Sequence, residues 1–167
     1  PFTYDNIAVD WEDANSDYAK QYENEELSWS NLKDLTDVEL YNCPNMTQLP
    51  DFLYDLPELQ SLNIACNRGI SAAQLKADWT RLADDEDTGP KIQIFYMGYN
   101  NLEEFPASAS LQKMVKLGLL DCVHNKVRHL EAFGTNVKLT DLKLDYNQIE
   151  EIPEDFCAFT DQVEGLG

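Results

Sequence analysis

Apolar residues recur along this chain in a fixed frame. In residues 35–46 they stand at Leu35, Val38, Leu40 and Met46, with Cys43 between them. The frame returns as Leu59, Leu62, Ile64 and Ile70 around Asn67, and as Ile92, Phe95, Met97 and Leu102 around Asn100. It comes twice more, as Leu117, Leu120, Cys122 and Val127 around Asn125, and as Leu139, Leu142, Leu144 and Ile149 around Asn147. The central pair, two residues apart, predicts a short strand with one face turned inward. A single copy carries too few apolar groups to bury a core, so the copies must stack to make a continuous interior.

The Asn or Cys position falls at 43, 67, 100, 125 and 147, in steps of 24, 33, 25 and 22 residues. Leu49-Pro50, Phe105-Pro106 and Ile152-Pro153 add a second marker five or six residues beyond it. An inward amide in every copy is explained as a ladder that satisfies backbone groups of the loop leaving the strand. Cys43, Asn67, Asn100, Asn125 and Asn147 are therefore expected as structural residues, with Cys43 the weaker hydrogen-bonding substitute. The pattern L-x-x-L-x-L-x-x-N/C-x-L resembles the leucine-rich-repeat superfamily over residues 32–167. That resemblance implies an α/β solenoid with a concave parallel β-sheet and short convex segments, of about five repeats.

The long step has a readable cause. Ser71-Ala-Ala-Gln74 is a capping box, followed by Leu75, Trp79 and Leu82 at helical spacing, and Gly89-Pro90 is the expected stop. One convex helix is predicted there, with Asp84–Asp87 trailing into a loop. The other convex segments are shorter and read as extended or 3₁₀ pieces.

Both ends depart from the frame. Residues 1–31 alternate at Ile7, Val9 and Trp11 and carry eight acids against Lys20 alone. An N-terminal cap is expected, with Trp11 or Trp29 packed on the first repeat, because an open solenoid end exposes core and strand edges. An independent acidic interaction arm is the alternative. Val163 and Leu166 repeat Leu139 and Leu142 at a spacing of 24, so a sixth repeat begins and is expected to continue beyond Gly167. The absence of an initiator Met points the same way, to a piece of something longer.

Charge narrows the function classes. The 167 residues hold 12 Lys and Arg against 31 Asp and Glu, a net charge of −19. That field repels nucleic acid and anionic lipid. Mean hydropathy is −0.47 and no run approaches a spanning length, so no transmembrane segment is expected. Cys43, Cys66, Cys122 and Cys157 include no C-x-x-C pair, and only His124 and His129 could join them, so no metal site or cofactor is predicted. Buried thiols are expected instead. Asp84-Asp85-Glu86-Asp87-Thr88-Gly89 lacks the spaced ligands of a calcium loop and reads as a solvated turn. Asp121 and His124 with Ser108 or Ser110 could imitate a hydrolase triad, but no G-x-S-x-G elbow exists. No catalytic residue is predicted.

The strand positions flanking the buried pair, with the residue before each ladder position, make up the concave surface. From these the binding candidates are Tyr41, Asn63, Ile94, Tyr96, Tyr99, Leu119, Asp121, Val123, His124, Lys143, Asp145 and Tyr146. Aromatic and aliphatic groups among polar ones are the usual make-up of a binding hot spot. Five strands of five residues offer roughly 400 Å², about half of what one partner gives a standard interface. Loops or further repeats must therefore add to it. A net positive island over residues 113–143 either steers an acidic partner or pairs with acids of neighbouring coils. The expected function is a non-enzymatic module binding a protein or peptide. Its acidic, processed chain is similar to leucine-rich-repeat proteins displayed on gut bacteria, where a lipid-anchored region precedes the repeats. That implies a cell-surface or extracellular setting, although no lipobox cysteine is present. A recognition domain of a larger enzyme or effector, or a cytosolic scaffold, is the alternative.

Overall fold

The computed structural model describes residues 33–135 and 138–156, and the backbone of Gly165–Leu166. The expected capping segment 1–31, with Trp11 and Trp29, lies outside the described residues, as do Cys157 and Val163. Six short strands run parallel in chain order: β1 (Asp37–Glu39), β2 (Ser61–Asn63), β3 (Ile94–Tyr96), β4 (Leu119–Asp121), β5 (Asp141–Lys143) and β6 (Gly165–Leu166). Parallel neighbours need a crossover, and here each crossover is the convex remainder of one coil. Val38, Leu62, Phe95, Leu120, Leu142 and Leu166 stand opposite one another. The first five are buried while the residues flanking them are not. A slip of one residue would turn every one of them out of the core, so the apolar frame itself sets the register.

The asparagines tie each coil to the one before it. The Asn67 amide donates to Leu40 O (2.7 Å) and Ile64 O (2.8 Å), while its oxygen accepts the Cys43 N–H (2.7 Å). Asn100 repeats this on Ile64 O and Met97 O, both 3.0 Å, and accepts from Asn67 N–H at 2.6 Å. Asn125 bonds Met97 O and Cys122 O and accepts from Leu102 N–H; Asn147 bonds Cys122 O and Leu144 O and accepts from Val127 N–H. In every case one carbonyl belongs to the residue's own coil and the other to the previous one. Cys43 and Cys122 are buried and Cys66 half-buried, and none of the three is in a disulfide. Burial pushes the Cys122 thiol well above its ordinary pKa.

The long second coil carries helix α1 (Ala72–Asp84), which buries Leu75, Trp79, Leu82 and Ala83. Only half of the capping box forms. Ser71 Oγ accepts the Gln74 N–H (3.2 Å), but the Gln74 amide turns inward to donate to Asp78 Oδ1 (2.7 Å). The helix also ends before the expected Gly89-Pro90. Asp85 stops it, its N–H bonded to Arg81 O and its carboxylate accepting the N–H groups of Asp87 and Thr88. Gly89–Lys91 instead form a 3₁₀ turn. A Cβ at Gly89 would stand 2.6 Å from Leu82 O, so glycine lets this turn close against the helix. The other convex pieces are a 3₁₀ turn at Asp51–Asp55 and the one-turn helix α2 (Ser108–Leu111).

Between sheet and convex side runs a row of aromatic rings. Trp79 meets Phe95 and Phe105 edge-on, at 5.8 and 4.9 Å between centroids, and Phe105, Phe133 and Phe156 continue the row at 5.9 and 6.3 Å. Edge-to-face pairs add to the area they bury. The core thins at the fifth coil, where Leu144 and Ile149 are only partly buried and Ile152 is 59% exposed, unlike Leu49 and Phe105 at the equivalent marker. Convex ion pairs join Arg81 to Asp51, Lys76 to Glu104, Lys91 to Glu58 and Lys113 to Asp84. With Lys143 beside Asp121, two of the six bases in the positive island therefore face acids of neighbouring coils.

One buried carboxylate was not foreseen. Asp78, 5% exposed, accepts the Leu49 N–H at 2.8 Å from the previous coil. Burial raises its pKa despite the stabilising bonds from Leu49 and Gln74. The native state therefore holds the Asp78 proton more firmly than the unfolded chain does. Stability is lost as pH rises from the ordinary carboxylate value through the raised one. Relative to the parent, Asp78→Asn should gain stability across that acid interval, as read from urea melts at a series of pH values. A difference independent of pH would refute the buried charge. At neutral pH, Asn100→Leu should cost about 1–3 kcal/mol by stranding ladder groups, and Phe105→Ala about 3–5 kcal/mol by emptying the aromatic row.

Candidate functional site: a recess on the concave sheet

The concave positions form rows that run across the coils. Flanking the buried strand centres are Asp37, Ser61, Ile94, Leu119 and Asp141 on one side, and Glu39, Asn63, Tyr96, Asp121 and Lys143 on the other. Beyond these lie Tyr41, Ala65, Gly98, Val123 and Asp145, then Asn42, Cys66, Tyr99, His124 and Tyr146. Ile94, Tyr96, Leu119, Asp121 and Val123 are half-buried rather than fully exposed, because side chains 4.8 Å apart across a sheet shield one another.

The last row has one backbone state. Asn42, Cys66, Tyr99, His124 and Tyr146 all adopt positive φ, between 52° and 65°. None is glycine, and each bears a cost of about 1–2 kcal/mol for the left-handed region. The turn aims four of their N–H groups at the next coil: Asn42 to Ala65 O, Cys66 to Gly98 O, Tyr99 to Val123 O and His124 to Asp145 O, at 2.9–3.0 Å. It also holds three rings in register. His124 lies between Tyr99 (4.3 Å, 18° between planes) and Tyr146 (4.1 Å, 9°) in one stacked column. Aromatic residues at the same repeat position in three successive coils were the signal for that column.

Where the small residues Ala65 and Gly98 fall between Tyr41 and Val123, the surface sinks into a recess of about 220 Å³. Its lining is Tyr41, Asn63, Ala65, Cys66, Tyr96, Gly98, Tyr99, Asp121 and Val123. Six of the expected binding residues thus come together. His124 and Tyr146 extend the aromatic column away from the recess, and Ile94, Leu119, Lys143 and Asp145 stand on the sheet outside it. Ala65, Cys66 and Gly98 complete the wall without having been singled out, since residues that lack bulk leave no apolar mark in a sequence. A Cβ on Gly98 would lie 3.0 Å from Val123 Cγ2 and 3.3 Å from Asp121 Oδ1, so any larger residue crowds that side of the recess.

The polar groups of the recess are held by short local bonds. Asn63 Oδ1 accepts the Ala65 N–H (3.0 Å) and its amide donates to Glu39 (3.2 Å). Asp121 Oδ1 accepts the Val123 N–H (3.1 Å) in the same way, and its other oxygen lies 3.8 Å from Lys143 Nζ. The hydrogen bond between Cys66 and the Tyr41 hydroxyl, followed by the field of Cys66, raises the Tyr41 pKa. The triad of Asp121, His124 and a serine does not assemble: Ser108 Oγ, in α2, donates to Glu131, while His124 is sandwiched between tyrosines. Among the described residues no group of three or more His, Cys, Asp or Glu could hold a metal ion.

If Tyr96 belongs to the surface and Leu120 to the core, the two truncations separate sharply. Tyr96→Ala should cost under about 1 kcal/mol and Leu120→Ala about 2–5 kcal/mol in chemical denaturation. Equal losses would put Tyr96 in the interior.

Known proteins agree with this architecture. The family model described as Leucine Rich Repeat matches residues 138–159. A leucine-rich repeat protein from Bacteroides eggerthii, solved by crystallography, is 62% identical over 92% of this chain with a TM-score of 0.76. This chain spans 25% of that protein. A leucine-rich-repeat protein of Leptospira interrogans has the same fold, with a TM-score of 0.57 at 18% identity over 87% of this chain and 40% of its own. Toll-like receptor 7 of Drosophila melanogaster is 31% identical over 107 residues, which are 63% of this chain and 7% of the receptor. The repeating frame, the parallel sheet, the amide ladder and these likenesses agree: the chain belongs to the leucine-rich-repeat superfamily.

Proposed function

We propose that this chain is a non-enzymatic module that binds a protein or peptide through its concave sheet, on a bacterial cell surface or outside the cell. The observation that carries this reading is the recess between Tyr41 and Val123. A solenoid needs its inward frame and its ladder to fold, and neither requirement accounts for aromatic rings gathered around a gap on the outer face. Three tyrosines and an aspartate there match the composition of interface centres, where Tyr is enriched. The likeness to a Bacteroides protein supports a bacterial origin, and the resemblance to displayed leucine-rich-repeat proteins supports an envelope or extracellular site. Among the described residues no helix is long and apolar enough to cross a membrane.

Affinity capture from bacterial envelope extracts and from host extracellular matrix, with the parent beside Tyr96→Ala/Asp121→Ala, tests the face. A partner retained by the parent and lost from the double variant is the expected outcome. Capture indifferent to both changes would move binding to the convex side.

A further inference from the structure

We propose that the concave recess takes the guanidinium of an arginine side chain, supplied by an extended basic segment of a partner protein. This rests on the concave-face reading above and adds the chemistry of what docks there. The recess, of about 220 Å³, has room for one side chain and not for a helix, whose diameter is about 10–12 Å. Ala65 and Gly98 are the small residues of its lining. One face of the Tyr99 ring is covered by His124, and the ring also borders the recess, beside Cys66 of the preceding coil. A planar cation gains from lying against such a ring, and arginine stacks on aromatic faces more readily than lysine does.

Asp121 supplies the charge. One of its oxygens is committed to the Val123 N–H, which fixes the carboxylate in place. The other is paired with Lys143 Nζ at 3.8 Å, beyond hydrogen-bond distance, and the Lys143 side chain is 47% exposed, so its hold on the carboxylate is weak. The Asp121 side chain is just 17% exposed. An acidic occupant would meet this carboxylate head-on. An apolar one would strip water from it with nothing in exchange, a cost that selects a hydrogen-bonding cation. The wider field favours the same partner, since the concave rows carry Asp37, Glu39, Asp121, Asp141 and Asp145 against Lys143 in a chain of net charge −19.

The test is a titration of ¹⁵N-labelled protein with blocked Gly-Arg-Gly, beside the same peptide carrying citrulline or glutamate in place of arginine. The arginine peptide should shift the amide signals of Ala65, Cys66, Gly98 and Tyr99, and added salt should weaken it. Citrulline, which keeps the shape without the charge, and glutamate should leave those signals in place. Asp121→Asn keeps an acceptor for the Val123 N–H, and should weaken the arginine peptide roughly fivefold or more while the rest of the spectrum is unchanged. Equal shifts with citrulline, shifts gathered elsewhere, no shifts at all, or an unchanged affinity in Asp121→Asn would overturn the assignment. Partner capture that depends on Tyr96 and Asp121, yet survives phenylglyoxal blocking of the partner's arginines, would also overturn it while leaving the binding face intact. Capture that ignores both residues would bring down the face itself.

Discussion

The structure depends on the pairing of inward carbonyls with asparagine amides. A coil that turns from strand to convex segment points backbone oxygens into the interior, where no water can reach them. Asn67, Asn100, Asn125 and Asn147 resolve this by taking one carbonyl from their own coil and one from the coil before. No coil is therefore satisfied by itself. Neighbour coupling of this kind makes a repeat array cooperative although each coil touches only the next. With the backbone held from inside, the outward side chains of the strands are relieved of structural duty. Gly98, two residues past β3, lacks a side chain yet its carbonyl still accepts the Cys66 N–H of the coil before.

A second constraint acts at the end of each strand. The left-handed turn at Asn42, Cys66, Tyr99, His124 and Tyr146 recurs without any glycine. The strain is offset by the inter-coil N–H bonds of this row and, in three coils, by ring stacking at 4.1–4.3 Å. The geometry that closes the coil is the same geometry that stands a rigid aromatic column beside the recess. Fold and candidate site thus share one backbone device.

Much of this was legible beforehand. The frame of buried residues, the ladder positions, the strand register and the helix in the long coil all follow from local periodicity, because each is a demand that every coil repeats. What escaped was not periodic. Asp78 receives its bond from Leu49, 29 residues away, and a single polar residue on a helix gives no sign of such a partner. The helix stop moved to Asp85 because an aspartate side chain captured two N–H groups ahead of the glycine. The binding candidates were legible as a face but not as a recess. Six of them converge only because Ala65 and Gly98 lack the bulk to fill the space between.

Helix α1 has a consequence for the opposite side of the molecule. A helix is about 10–12 Å across, whereas the strands facing it are about 4.8 Å apart. It occupies the convex side of the second coil, where the other described coils carry a 3₁₀ turn or a single helical turn. Ala65 and Gly98 lie two residues past the ends of β2 and β3, the strands before and after that helix in the chain. The insertion that interrupts the repeat spacing therefore lengthens the convex side of the same coil whose concave side supplies Asn63, Ala65 and Cys66 to the recess.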